Sequence, residues 1–379
     1  MGLLSTKKTE KPNDGYYHIK PLIESFPDAL YYIIYSGRTN GKTYSCLEYL
    51  LYQYFKHGEK GVIIRRYDED YKNKRGAKMF RNLVQNGVVK KLSQGRYNDI
   101  MYRAGEFYLT YVDNEGNVEK APEPFCFGLS LNAGEHDKST GGFSISVKTI
   151  VFDEFIGRHY LDDEIVLFMQ QISTIIRREK GTKIFLCGNT INPYNPYFEE
   201  FGLTHAYKQE IGTVEVYEYG NSELKVVVEY AEKPVEKYES DAYFAFDNPK
   251  LKMITDGAWE IPMYPHCPIK IRPKDIKFRY FIHFKNDVLE CEIIMRDKYN
   301  FTFIHKRTKN NDYVFNTDKE LVFDLEENPL YNRGRKITTP VNNIQQKILW
   351  YFKADKVFYQ DNVTGEIVRN YIEWSEKGL

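Results

Sequence analysis

The sequence predicts an α/β protein with an N-terminal phosphate-binding domain, a connecting region and a second α/β domain. Three observations predict it. Short apolar runs alternate with helical periodicity through the first half of the chain, the pattern of a largely parallel sheet. Residues 36–43 read SGRTNGKT and lie between the first apolar run and the first amphipathic segment. A later apolar run, TIVFDE at 149–154, ends in two adjacent acids.

The elements follow in order. Residues 1–15 are charged, have no apolar signal core and read as a disordered tail. Leu30 to Tyr35 is a buried strand, rich in aromatic and β-branched side chains. Cys46, Leu47, Leu50, Leu51, Tyr54 and Phe55 recur at helical spacing, and Gly58 ends that helix. Val62 to Ile64 is a second strand, and residues 99–131 read as antiparallel strands with a turn at Asn114-Glu115-Gly116. Asn132 to Phe143 is a polar, glycine-rich loop. Lys148 to Phe152 is a strand, Asp163 to Arg178 an amphipathic helix, Lys183 to Cys187 another strand, and 213–230 a hairpin. Residues 16–230 therefore form the first domain. Over 231–266 the periodicity weakens while prolines and charges rise, as expected of a linker or lid. Residues 267–379 form the second domain, with strands in FRYFIHF, VLECEIIM and FTFIHK and a helix near 341–353.

Composition narrows the function classes. Lysine plus arginine and aspartate plus glutamate both total 53, so the net charge is zero, with 42% hydrophobic residues. That excludes a disordered chain and a polycation that binds nucleic acid by bulk charge. It leaves a local basic stripe open. The five cysteines show no C-x-x-C spacing, which argues for reduced thiols and against a zinc site. No apolar run approaches the ~18 residues needed to span a bilayer, so no membrane partner is expected.

The 36–43 segment departs from the G-x-x-x-x-G-K-[ST] phosphate loop only at Ser36, with Gly37 next door as a source of backbone freedom. Backbone N–H groups of Arg38, Thr39, Asn40, Gly41, Lys42 and Thr43 would cradle phosphate at a helix N-terminus, with Ser36 and Gly37 at the start of the same site. Lys42 would reach the β- and γ-phosphates of ATP and Thr43 would hold Mg²⁺. An apolar strand ending in Asp153-Glu154 supplies the other half: Asp153 for the metal, Glu154 to polarise an attacking water. The acid pair favours the ASCE division of P-loop ATPases, which hydrolyse ATP to do mechanical work. Asn189, at the tip of the next strand, is the candidate γ-phosphate sensor or coupling residue.

From Tyr71 to Asn98 eight cations, Lys72, Lys74, Arg75, Lys78, Arg81, Lys90, Lys91 and Arg96, occur without one acid, interleaved with Tyr71, Phe80 and Tyr97. Such a stripe suits a DNA backbone gripped without base reading. Lys306, Arg307, Lys309, Arg333, Arg335 and Lys336 form a second basic patch.

Arg65-Arg66-Tyr67, TIVFDEFI at 149–156, Arg177 and Asn195-Pro196-Tyr197-Phe198 together resemble the DNA-packaging (encapsidation) ATPases of small podophages, the Picovirinae type. Tyr359-Gln360-Asp361-Asn362 is similar to a segment of the same family. The resemblance implies a homomeric ring, pentameric in the family, that drives double-stranded DNA into a prohead at its portal vertex in the host cytoplasm. It also implies docking on the portal, or connector, with a packaging RNA, and a C-terminal RNase H-like domain that has lost catalysis. It places a trans-acting arginine finger at Arg177, with Arg178 beside it as the alternative, a second trans-acting cation at Lys138, and a phosphate-loop arginine at Arg38. A terminase large subunit with a live nuclease, a helicase-like ATPase and a scaffold with a degenerate phosphate loop are the rival readings. Against a live nuclease, the first strand of the second domain, Phe278 to Lys285, carries no carboxylate, while Glu290 and Glu292 fall on the second and Asp361 later.

Overall fold

The computed structural model describes residues 2–7, 16–38, 40–72, 75–132, 147–176, 180–220, 222, 224–232, 259, 262–307, 320–325 and 336–377. The chain divides into two compact units, Met1–Glu260 and Ile261–Leu379.

The first unit is built on one mixed sheet. Its strands are β1 (Gly2–Lys7), β2 (Tyr31–Ser36), β3 (Lys60–Arg65), β4 (Asp99–Arg103), β5 (Glu106–Val112), β6 (Val118–Lys120), β7 (Cys126–Ser130), β8 (Val147–Asp153), β9 (Lys183–Asn189), β10 (Thr213–Glu218) and β11 (Lys225–Tyr230). The order is β1-β10-β11-β2-β9-β8-β3-β7-β5-β4, with β6 on β5. The centre, β11 to β7, is parallel, and the outer strands are antiparallel. β9 lies between the phosphate-loop strand β2 and the acid-bearing strand β8, the insertion that marks the ASCE arrangement.

Alternation along the central strands sends side chains to two cores. Tyr32 and Ile34 of β2, Val151 of β8 and Phe185 of β9 pack under α2 (Lys42–His57) through Leu47, Leu50 and Leu51. Tyr31, Ile33 and Tyr35, with Ile150, Phe152, Ile184 and Leu186, pack on α6 (Glu164–Ile176) and α7 (Pro196–Glu200). α2 ends as expected, on Gly58 with φ 70°. Before it comes α1 (Lys20–Ser25). After β3 come three short helices, α3 (Arg75–Lys78), α4 (Arg81–Gln85) and α5 (Val88–Leu92), which sequence periodicity did not disclose.

Two expectations change. The first fifteen residues do not all form a frayed tail: Gly2–Lys7 pair antiparallel with β10, because the outer edge of β10 offers a ladder of unpaired backbone groups. The connecting region is shorter than 231–266. Ala231 N–H donates to the Tyr35 carbonyl (2.9 Å) and the Trp259 ring lies 5.5 Å from that of Tyr35, while Tyr359 N–H donates to the Pro265 carbonyl (2.9 Å) in the second unit. Most of the segment between Ala231 and Trp259 lies outside the described residues.

The second unit is the expected α/β unit. β12 (Ile276–Phe284), β13 (Asp287–Arg296) and β14 (Tyr299–Lys306) form an antiparallel meander. β15 (Val322–Asp324) joins β12 and β16 (Val357–Tyr359) joins β14, both parallel. α8 (Asn343–Lys353) and α9 (Asn362–Lys377) complete it. No helix among the described residues is long and apolar enough to cross a membrane.

Candidate nucleotide site

Four parallel strands, β2, β9, β8 and β3, end side by side, and their last residues are Ser36, Asn189, Asp153 and Arg65. Ligands of open α/β sheets bind at such carboxyl edges. Here the edge borders a cavity of about 230 Å³ lined by Asn40, Gly41, Lys42, Thr43, Asp153, Glu154, Gly188 and Asn189.

The phosphate loop has the right backbone. Gly41 stands at the N-terminus of α2 with φ 88°, a conformation that favours glycine. The left-handed residue among the loop's described positions is thus Gly41 and not Gly37. α2 has neither a capping side chain nor an acid in its first turn. Its first N–H groups and the positive end of its dipole are left for an anion.

Ser36 fits the loop rather than impairing it. Lys42 Nζ donates to Ser36 Oγ (2.7 Å), to the Gly37 carbonyl (3.1 Å) and to Asn189 Oδ1 (3.3 Å), so the hydroxyl gives the lysine a place to rest. Burial pushes the Lys42 ammonium down to about 8, against the pull of Cys187 and Asp153. A triphosphate would supply the negative charge that burial otherwise denies the ammonium. Arg38 is exposed at the mouth of the loop, and Asn40 ties the loop to the end of β11 through Nδ2 to the Glu232 carbonyl (2.9 Å).

One of the two acids bonds directly to the loop. Thr43 Oγ1 donates to Asp153 Oδ1 at 2.6 Å, which brings a hydroxyl and a carboxylate to one point. Hard oxygen donors of this kind beside a phosphate cradle fit Mg²⁺. Glu154 follows with φ 60°, a left-handed conformation that costs a residue with a side chain roughly 1–2 kcal/mol.

Sequence reasoning missed the role of the arginine pair at the end of β3. Arg65 Nη1 lies 2.7 Å from Asp153 Oδ2 and 3.4 Å from Glu154 Oε2, with Nε 3.6 Å from Asp70 Oδ2. Arg66 is buried and bonds Glu164 and the carbonyls of Glu154 and Phe155. Their position directly after an apolar strand was the available signal.

The remaining predicted residues fall in several places. Thr39, Lys74, Lys138, Arg177 and Arg178 lie outside the described residues. Arg75, Lys78, Arg81, Lys90, Lys91 and Arg96 are exposed on or beside the three short helices. Lys72 is also exposed, but it pairs with Asp68 (2.7 Å) and Glu69 (3.5 Å), just upstream of the acid-free span. The interleaved aromatics anchor this segment: Phe80 is buried, and Tyr71 donates to the Ile63 carbonyl (2.7 Å). In the second basic patch, Lys306 pairs with Asp287 (3.1 Å), and Lys309, Arg333 and Arg335 lie outside the described residues.

In the second unit β12 carries no carboxylate, as expected. Glu290, Glu292 and His305 do converge, with one ligand atom of each within 4.8 Å of the others. Arg279 Nε already occupies the acid pair, 3.3 Å from Glu290 and 3.0 Å from Glu292. Asp361 instead caps α9, accepting from Thr364 N–H (2.7 Å) and Oγ1 (2.8 Å).

Comparison with known proteins follows the same outline. Residues 14–236 match the family model described as podovirus DNA encapsidation protein (Gp16). A protein named DNA packaging protein, from Bacillus phage B103, is 26% identical over 187 residues, 46% of this chain and 49% of that one. The chain thus spans about half the length of the curated relative it matches. Among solved structures, the bacteriophage Phi-29 viral genome packaging motor assembly aligns over 96% of this chain and 99% of its own, with TM-score 0.53 and 15% identity. The N-terminal domain of the DNA packaging ATPase from bacteriophage phi29 aligns over 57% of this chain and 97% of its own, with TM-score 0.44 and 20% identity.

Proposed function

This chain belongs to the podovirus DNA encapsidation protein (Gp16) family, and from that premise we propose that it hydrolyses ATP to drive double-stranded DNA into a viral prohead. One observation carries the ATPase part: a lysine, a hydroxyl–carboxylate pair and a further carboxylate line one cavity beside an uncapped helix N-terminus.

The roles follow from the contacts. Lys42 leaves Ser36 for the β- and γ-phosphates while the N–H groups of 38–43 hold their oxygens. Thr43 and Asp153 would hold Mg²⁺, which would supply charge neutralisation for the phosphates. Arg65 must yield Asp153 first, and Asp70 offers it an alternative acceptor. Glu154 accepts a hydrogen bond from the attacking water, whose oxygen bonds to the γ-phosphorus as the bond to the β–γ bridging oxygen breaks. Asn189, already on Lys42 Nζ, senses the terminal phosphate.

The assembly we propose is a ring, pentameric as in the family, seated at the portal with its packaging RNA in the host cytoplasm. Arg177, or Arg178 beside it, and Lys138 reach the neighbouring subunit's nucleotide. A finger of this kind is worth ~10³–10⁵ in rate and makes hydrolysis depend on ring closure. Arg75, Lys78, Arg81, Lys90 and Lys91 grip DNA phosphates, with Lys72 and Lys74 at the start of the stripe. Because Lys72 already has carboxylate partners, Arg75→Gln with Lys78→Gln should flatten the salt dependence of DNA binding by roughly 1.8 in log–log slope, and Lys72→Gln by far less. The C-terminal unit, expected to be RNase H-like, is read as non-catalytic, since its first strand carries no carboxylate and Arg279 already occupies the Glu290–Glu292 pair.

The test is ATP hydrolysis with Mg²⁺, with and without DNA and portal-bearing proheads. DNA-stimulated turnover lowered by about 100-fold or more in Glu154→Gln supports the reading, and no turnover in any setting overturns it. Arg177→Ala should bind ATP without hydrolysing it. Adding Glu154→Gln subunits, whose Arg177 is intact, should restore turnover at the mutant's sites. Absence of that rescue excludes a finger acting in trans. Mn²⁺-dependent plasmid cleavage by the full chain would restore the terminase reading.

A further inference from the structure

Glu154 keeps its left-handed φ of 60° because its surroundings hold it there. Arg66 supplies most of that hold. Its Nη1 donates to the Glu154 carbonyl (3.1 Å), Nη2 to the Phe155 carbonyl (2.7 Å) and Nε to Glu164 Oε2 (2.8 Å). All three guanidinium nitrogens thus face acceptors, two of them on the turn that carries Glu154.

The other end of the clamp is equally fixed. Glu164 is 1% exposed and accepts from Tyr197 Oη (2.7 Å) and Leu161 N–H (2.8 Å). The guanidinium lies 4.9 Å from the Tyr160 ring centre, a favourable cation–π distance. A side chain at Gly157 would bring its Cβ within 3.0 Å of Arg66 Nη1, so the turn leaves room for the guanidinium. Arg66 itself is 7% exposed. It is therefore separate in task from Arg65, which contacts the carboxylates of Asp153 and Glu154 directly.

We propose that Arg66 is a positioning residue for Glu154: the Arg66–Glu164–Tyr197 set fixes the turn that aims the Glu154 carboxylate into the nucleotide cavity, and so governs turnover without governing nucleotide binding. The proposal rests on the reading of Glu154 as the group that polarises the attacking water. Lysine cannot replace the arginine, because one ammonium cannot serve two carbonyls and a carboxylate in the fork geometry.

The experiment compares full-length wild type, Arg66→Lys, Glu154→Gln and the double variant. It measures steady-state ATP hydrolysis with Mg²⁺, binding of a fluorescent ATP analogue, and amide hydrogen exchange over 152–158. Arg66→Lys should lower kcat by about 10–100-fold with KM within about twofold, and speed exchange at 154–157. On the Glu154→Gln background the same change should cost no more than about twofold further, because both act on one step. Tyr197→Phe, which removes one donor to Glu164, should move the same quantities a few-fold in the same direction, and serves if Arg66→Lys does not fold. An equal kcat loss on both backgrounds overturns the proposal. If wild type hydrolyses no ATP, the reading of Glu154 falls on that result. The exchange arm then decides the clamp alone, and unchanged exchange in both variants overturns it.

Discussion

Two of the acid pairs that share one arginine among the described residues differ in what lies beside them. In the first unit Arg65 spans Asp153 and Glu154 at the end of β8. In the second, Arg279 spans Glu290 and Glu292 in the middle of β13, where alternate residues share one face. The first pair adjoins a threonine hydroxyl, a lysine and an uncapped helix start. The second adjoins His305 on a sheet face, with Arg279 about half exposed. An arginine on two carboxylates therefore says little about chemistry by itself. A strand end facing a helix N-terminus offers a place for phosphate, and a pleated face does not.

The sharpest way to break that comparison is to remove the cation of the first site and the acids of the second. Lys42→Ala should lower ATP hydrolysis by about 10²–10³-fold or more, as loss of a donor to transition-state charge does elsewhere. Glu290→Gln with Glu292→Gln should leave it within about twofold. Phosphate release under saturating ATP reads both, and equal losses would erase the distinction.

Stability gives the next contrast. Arg65→Ala takes the arginine from the mostly buried Asp153 carboxylate and should cost about 1–3 kcal/mol in denaturant unfolding, with part recovered when Mg²⁺ is added. Arg279→Ala breaks a solvent-screened pair and should cost under about 1 kcal/mol. The reverse order would mean that the second pair is the structural one.

A pH profile sharpens the first site further. Burial holds the Lys42 ammonium down at about 8 before nucleotide binds, and a bound phosphate raises that value. ATP affinity should therefore be full below about pH 8 and fall as pH rises through it, by up to about tenfold per unit. Calorimetry in two buffers should record proton uptake on binding above pH 8. Lys42→Arg should flatten the profile, whereas Glu290→Gln should not.

The site was legible where its parts are contiguous. Strand, glycine turn, GKT and helix sit within residues 31–57, so the phosphate loop shows itself without tertiary knowledge. Asp153 and Glu154 showed themselves as acids ending an apolar run. Arg66 did not, because its partners Glu154, Phe155 and Glu164 lie 88 to 98 positions away and only folding brings them together. The rest that Ser36 gives Lys42 is likewise a consequence of loop closure. In α9, Ile367, Tyr371 and Trp374 carry a helical spacing that the surrounding polar residues obscured. The helices α3 to α5 are too short for periodicity to register, and each places only one residue in the core, Gly76, Leu83 and Val89.

The strand Gly2–Lys7 bears on how the chain behaves in solution. By pairing with β10 it becomes the outermost strand of the large sheet, and its bulge between Leu3 and Ser5 blunts that edge. A chain trimmed to begin after Lys7 would present β10 with a bare row of donors and acceptors, a template onto which another copy can add. Such a trimmed preparation should turn cloudy or self-associate with rising concentration, while its melting point barely moves. The first few residues then act as a guard against unwanted stacking, and an affinity tag belongs at the other terminus.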